Sequence, residues 1–191
     1  DSVSVPLAPV TVNDYILGNP DAPIVIVEFS DYECPFCKVF HEKMQKIMSE
    51  YGKNGKVAWV YRQFPLDQLH QKARAESVAA LCAGKLGGST AFWKYTDTIF
   101  AKTPSNDGLD LALLPTFATQ IGLNTTAFTA CTQSKEIADK VENEFQQGVS
   151  AGARGTPYSI ILTKDGKQYP INGAQPYETV KAMIETILKT N

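Results

Sequence analysis

The hydrophobic pattern changes period along the chain, and each change marks an element. Ile24 to Val27 and Phe29 form an apolar run broken only by Glu28. A short continuous run rich in β-branched residues reads as a strand buried on both faces. After a brief polar connection, Phe36, Phe40, Met44, Ile47, Met48 and Tyr51 recur at helical spacing. Lys53 to Lys56 is a turn, and Val57 to Tyr61 is a second apolar strand, ended by Phe64-Pro65-Leu66.

From Asp67 onward the pattern is helical. One helix carries Ala75, Val78, Ala79 and Cys82 on a face and stops at Gly87-Gly88. A second, capped by Ser89-Thr90, carries Phe92, Trp93, Thr96, Ile99 and Phe100. Beyond a loop at Thr103 to Gly108, a third holds Leu113, Leu114, Phe117, Ala118 and Ile121. A short fourth starts at the cap Asn124 and includes Phe128 and Cys131. A longer helix runs from Ser134 to Ala151 with Ile137, Val141, Phe145 and Val149 inward, until Gly155-Thr156-Pro157 breaks the pattern. Tyr158 to Thr163 is a strand, Asp165-Gly166 a hairpin turn, and Lys167 to Ile171 its return. Pro176 opens a last helix with Val180, Met183, Ile184, Ile187 and Leu188 inward. The order β-α-β, helical block, α-β-β-α is that of an α/β protein.

Composition bounds the function. At 191 residues the chain is one domain, or one domain with a large insertion, and 43% apolar content supplies a core. A net charge of −2 with both signs interspersed implies no nucleic-acid partner. No run approaches the roughly 18 apolar residues of a membrane span. The chain opens at Asp1 without a Met and without a signal peptide, which reads as a mature or trimmed form. Residues 1–15, with Pro6 and Pro9, read as a flexible leader, either a plain disordered terminus or a tether from an upstream membrane anchor.

The candidate chemistry lies where the first strand hands over to the first helix, at Cys34-Pro35-Phe36-Cys37. Cys34 falls at the helix N-terminus and Pro35 in the first turn, where a missing N–H costs nothing. Unpaired N–H groups and the positive end of the helix dipole favour an anion there, so the Cys34 thiol should ionise below its usual pKa. Cys37, one turn on, is within reach of a disulfide. Two alternatives remain open for the pair: an inert bridge, or half of a zinc site, although a second Cys-x-x-Cys or Cys-x-x-His is absent. Of the other two cysteines, Cys82 and Cys131, the expectation is a stabilising disulfide, against two buried free thiols. A disulfide there would place maturation in an oxidising compartment.

A strand, Cys-x-x-Cys and helix, the longer stretch LGNPDAPIVIVEFSDYECPFC, and a distant Gly155-Thr156-Pro157 before another strand resemble the DsbA-like thiol–disulfide oxidoreductases of the thioredoxin superfamily. The resemblance runs from Ile16 nearly to the end. It implies a thioredoxin fold with an inserted α-helical domain, divided as 1–66, 67–132 and 133–191. It implies catalysis by Cys34 and Cys37, with Cys34 carrying the mixed disulfide at an exposed helix start and Cys37 lying deeper. Phe36 cannot donate a side-chain hydrogen bond to the sulfur, so a milder oxidant is expected than with a His in its place. Thr156-Pro157 matches the cis-proline loop that offers Thr156 backbone to an extended client. Glu28 matches the buried acid that serves the resolving cysteine, with an acid paired to Arg62 or a lysine as the alternative. Asp31 and Glu33 are expected to be exposed and screened, His41 half-exposed, and His70 on the surface.

The resulting expectation is an exported oxidoreductase, periplasmic or on the outer face of the cytoplasmic membrane, that introduces disulfides into reduced or unfolded client proteins. It would be reoxidised by a membrane quinone-linked partner, with no metal and no organic cofactor, and act as a monomer. A reductase or isomerase of the same fold, and a non-catalytic binding module, are the alternatives.

Overall fold

The apolar run at Ile24 becomes the middle of a sheet. The computed structural model describes residues 6–190. Strands β1 (Ile16–Leu17), β2 (Ile24–Ser30), β3 (Val57–Gln63), β4 (Tyr158–Thr163) and β5 (Gln168–Asn172) form one sheet in the order β1-β3-β2-β4-β5. β2 and β3 are parallel, with Ile24 opposite Val57 and Ser30 opposite Gln63. β2 and β4 are antiparallel, with Phe29 opposite Tyr158, so the segment before Tyr158 arrives beside the end of β2. The two-residue β1 is too short to have left a periodic signal.

Helices α1 (Pro35–Ile47), α2 (Ala73–Lys102), α3 (Leu114–Gln120), α4 (Thr125–Thr132), α5 (Lys135–Ser150) and α6 (Tyr177–Thr190) cover the sheet. Side chains alternate across β2. Ile24 and Ile26 meet Phe40 and Met44 of α1 and, through Trp59 and Tyr61, the aromatic residues Phe92, Trp93 and Phe100 of α2. Val27 and Phe29 pack on the other side with Val60, Phe64, Tyr158 and Ile160. The helical block therefore shares one core with the sheet. The expected break at Gly87-Gly88 is a kink inside α2, where Gly88 takes φ +70° and ψ −169°, a left-handed conformation suited to glycine.

Several inward positions differ from the periodic reading. Ala75, Leu113 and Val149 face solvent, Leu113 and Val149 at 41% and 38% exposure. On α5 the inward places go to Glu144 and Gly148 instead. Gly148 is needed for close approach: a Cβ there would lie 2.5 Å from the Phe64 ring. Glu144 accepts the Gln63 backbone N–H at 2.8 Å and pairs with Lys140 at 2.8 Å, which a hydropathy pattern cannot foresee.

The described part of the expected flexible leader is docked. Buried Arg62 donates to Asp14 Oδ1 at 2.9 Å and to the carbonyls of Ala8 and Pro9, each at 2.9 Å. A buried guanidinium must have its donors met, and this segment meets them. Residues 1–5 and Asn191 lie outside the described residues. Cys82 of α2 and Cys131 of α4 form a disulfide with Cα atoms 5.7 Å apart.

Candidate active site

The turn between β2 and α1 is organised by a carboxylate. Asp31 Oδ1 accepts the N–H groups of Glu33 at 2.7 Å and Cys34 at 3.1 Å. Its Oδ2 accepts the Leu66 N–H at 2.8 Å and faces His70 Nδ1 at 3.0 Å. Asp31 and Glu33 are 0% exposed, contrary to the expectation of screened surface acids. Burial raises the Asp31 pKa, while the Leu66 N–H and His70 oppose it. Glu33 receives the Thr103 hydroxyl at 3.0 Å, the Gly108 N–H at 3.1 Å and the Leu109 N–H at 3.3 Å. Its backbone C=O accepts the Asn106 N–H at 2.8 Å. The loop after α2 is thereby tied to the cysteine turn. Ser105, Asn106 and Asp107 hold positive φ in that loop, with Asp107 capping the start of α2 through the Gln71 and Lys72 N–H groups. Glu76 lies against Glu33, and burial together with that neighbour pushes its pKa up to about 10.

The two histidines are also buried, not surface residues. His41 pairs through Nε2 with Asp97 at 2.7 Å and packs on Trp59 and Phe100. His70 is covered because it answers Asp31. Each has a carboxylate partner distant in sequence, so local periodicity could not place it.

Cys34 is the N-cap of α1, with extended backbone (φ −76°, ψ 119°), and Pro35 sits in the first turn. The expected exposure of Cys34 is corrected: it is 4% exposed, because the loop before β4 closes over it. Its Sγ donates to the Thr156 carbonyl at 3.5 Å, and the Thr156-Pro157 peptide is cis. Cys37 is 0% exposed, and Phe36 between them is 66% exposed. The cysteines are free thiols. They divide the acidity between them. The Cys37 side chain, against the cost of burial, brings Cys34 down to about 6, helped by the Thr156 side chain and the N–H groups of Cys37 and Phe36. Burial and the neighbouring Cys34 push Cys37 well above the ordinary thiol value. Glu28, beneath them and 0% exposed, is raised by burial to about 7. Trp59 Nε1–H donates to its Oε2 at 3.0 Å. The alternative pairing with Arg62 does not occur, since Arg62 is spent on the N-terminal segment.

Two hydroxyls here escaped the sequence reading. Thr156 Oγ1 is buried without a hydrogen-bond partner, yet lies close enough to both sulfurs to lower their pKa values. Ser30 lies two residues past Glu28 on the same strand face, and the period-2 alternation was the signal that could have found it.

An absorbance titration of the reduced protein at the thiolate band should give a midpoint near 6 for Cys34. The folded value lies below the unfolded one. The thiolate therefore stabilises the reduced fold above the unfolded pKa, and that contribution is lost as pH falls through about 6. A midpoint near the free-thiol value of about 8.5 would contradict the local geometry.

A family model described as thioredoxin matches residues 10–186. Among solved structures, the chain is similar to DsbA2 of Pseudomonas aeruginosa, at 26% identity and a TM-score of 0.76, covering 91% of this chain and 94% of that one. It is also similar to oxidised BdbD of Bacillus subtilis, at 25% identity and a TM-score of 0.82, covering 99% of each chain. Among curated proteins, it is 26% identical over 153 residues to Na(+)/H(+) antiporter NhaA 1 of Mycolicibacterium gilvum, covering 79% of this chain and 24% of that protein. The chain thus spans about a quarter of the length of the curated relatives it matches. Among the described residues no helix is long and apolar enough to cross a membrane. With a family model over nearly all of its length, and a helix-capped cysteine pair facing a Thr156-Pro157 loop on a DsbA-type fold, the chain belongs to the thioredoxin family, in its DsbA-like thiol–disulfide oxidoreductase branch.

Proposed function

We propose that the protein introduces disulfides into reduced or unfolded client proteins outside the cytosol, by dithiol–disulfide exchange through Cys34 and Cys37. The observation that carries this reading is the geometry of the pair: Cys34 stands at the N-terminus of α1 beside the Thr156 carbonyl, and Cys37 is fully buried one turn on. Cys34 is brought down to about 6 and is the good leaving group, while Cys37 stays protonated at neutral pH. A client thiolate attacks oxidised Cys34, the Cys34–Cys37 bond breaks, and Cys37 leaves with the electron pair. The client's second thiolate then displaces Cys34, which departs as a stable thiolate. The Thr156 carbonyl at the rim offers an extended client a backbone acceptor, and exposed Phe36 offers it an apolar contact. Glu28 exchanges the proton that Cys37 needs. The Cys82–Cys131 bond supports an oxidising compartment. Reoxidation falls to a membrane quinone-linked partner, and the protein works as a monomer, free or tethered in the periplasm or on the outer face of the membrane.

The test is the reduction potential, by equilibration with glutathione and read through Trp59 or Trp93 fluorescence. A stabilised Cys34 thiolate favours the reduced state and makes the disulfide more oxidising. The expected value is roughly −120 to −200 mV, against about −270 mV for an electron-donating thioredoxin. Phe36→His, which adds a donor beside Cys34, should move it further toward oxidising. A value near that of thioredoxin would replace the oxidase reading with a reductase.

A further inference from the structure

We infer that the Ser30 hydroxyl carries the proton between Glu28 and Cys37. This deepens the proposed function and rests on Cys34 and Cys37 being the exchanging pair. Three buried oxygens, Glu28 Oε1, Ser30 Oγ and Tyr61 Oη, have no hydrogen-bond partner. Buried polar groups are nearly always paired, so a cluster of unpaired ones requires a reason. Glu28 and Ser30 share the face of β2 that meets α1, and Tyr61 is the register partner of Glu28 on β3. Cys37 is buried over the same face. The Ser30 hydroxyl is committed to no partner, yet it is close enough to Glu28, Cys37 and Tyr61 to lower the pKa of each. A hydroxyl donates and accepts at once, so it can receive one proton while giving up another. Trp59 cannot do this: an indole N–H only donates, and this one is held by Glu28.

The balance closes in both directions. When a client thiolate bonds to Cys34 and the Cys34–Cys37 bond breaks, Cys37 keeps the electron pair and takes the Ser30 proton. Glu28, as the acid, reprotonates Ser30 and is left as carboxylate. When the reduced protein meets a disulfide oxidant, the Cys34 thiolate attacks one of its sulfurs, and the oxidant's S–S bond breaks with its second sulfur leaving as thiolate. Cys37 then gives its proton to Ser30 as Ser30 passes its own to Glu28 carboxylate. The freed Cys37 thiolate attacks Cys34, closing the disulfide and expelling the oxidant sulfur held there as a second thiolate.

The second direction is measurable in one turnover. Cys34 of the reduced protein is loaded with thionitrobenzoate, and release of the coloured thiolate reads attack by Cys37. In the native sequence the release rate should rise with pH through an inflection near 7, where Glu28 ionises. Other titratable groups face this site. Tyr61 of β3 and Tyr32 after β2 are held far above the range by burial. Glu144 of α5 acts on Tyr32, and His41 of α1 packs on Trp59 with its Nε2 held by Asp97. Ser30→Ala should slow release at neutral pH by about 100-fold, the low end of what positioned proton transfer contributes, and flatten the inflection. In a Glu28→Gln background, Ser30→Ala should add nothing, since the relay is already cut. Ser30→Thr, which keeps the hydroxyl, should retain the inflection. Equal slowing by Ser30→Ala in both backgrounds, no slowing at all, or loss of the inflection in Ser30→Thr would overturn the relay. If the native sequence releases no thionitrobenzoate, the exchange reading itself fails.

Discussion

Cys34→Ser is expected to leave no measurable oxidation of a reduced dithiol peptide, while Cys37→Ser should accumulate covalent client adducts. The asymmetry follows from where each sulfur lies. Cys34 is at the helix start beside the Thr156 carbonyl and keeps 4% exposure, the less covered sulfur of the two. Cys37 is 0% exposed, one turn deeper. A serine at 34 can form neither a disulfide nor a stable leaving anion at neutral pH, so exchange stops at the first bond. A serine at 37 leaves Cys34 able to join a client but removes the thiol that would otherwise attack Cys34 and free it. Non-reducing electrophoresis after incubation with oxidised client should resolve adducts for Cys37→Ser and none for Cys34→Ser. The opposite pattern would exchange the two roles, and adducts from neither variant would remove the pair from the chemistry.

The sequence carried the order of elements and the place of the cysteines, because each rests on local signals. A continuous β-branched run, a helical repeat after it, Pro35 in a first turn and Asp165-Gly166 at a hairpin all act over a few residues. Glu28 stood out because a charge inside an apolar strand is costly. The misplacements share a different cause. The pattern leaves Asp31, Glu33 and His70 at the surface and His41 half-exposed because their partners lie far along the chain: Leu66 and His70 for Asp31, Thr103 and Gly108 for Glu33, Asp97 for His41. Their burial shows that the loop before α1 is clamped from behind by the helical block, which no period of 2 or 3.6 encodes. The docking of residues 8–14 on Arg62 was hidden in the same way, since the guanidinium meets backbone carbonyls that any residue could provide. Ser30 illustrates a milder failure: its face was readable, but serine at a strand end is too common to draw notice.

Removing the second disulfide is expected to cost stability and leave the chemistry intact. Cys82 and Cys131 are separated by 49 residues. Closing a loop of that size restrains the unfolded chain, and the chain-entropy model gives about 4 kcal/mol. The double variant Cys82→Ala/Cys131→Ala should therefore unfold about 8–16 °C lower, at the 2–4 °C per kcal/mol of a protein this size. Its helices keep other contacts, such as Tyr95 of α2 with Phe128 of α4 at 5.5 Å between ring centroids, so the fold should survive. Cys34 caps α1 and Cys37 lies in its first turn, and their turn is anchored through Asp31 and Glu33, whose hydrogen bonds do not involve the bridge. Thionitrobenzoate release should then proceed at the native rate below the lowered transition. Thiol counting provides the companion measurement. Mild reduction of the native protein should free two thiols, and reduction after unfolding should free four, because the stabilised Cys34 thiolate is a good leaving group and makes the Cys34–Cys37 bond the more reducible of the two. A melting temperature unchanged in the double variant would mean that the unfolded chain is already restrained without the bond. Four thiols titrating in the absence of reductant would mean that the bond does not form, and support for an oxidising compartment would go with it.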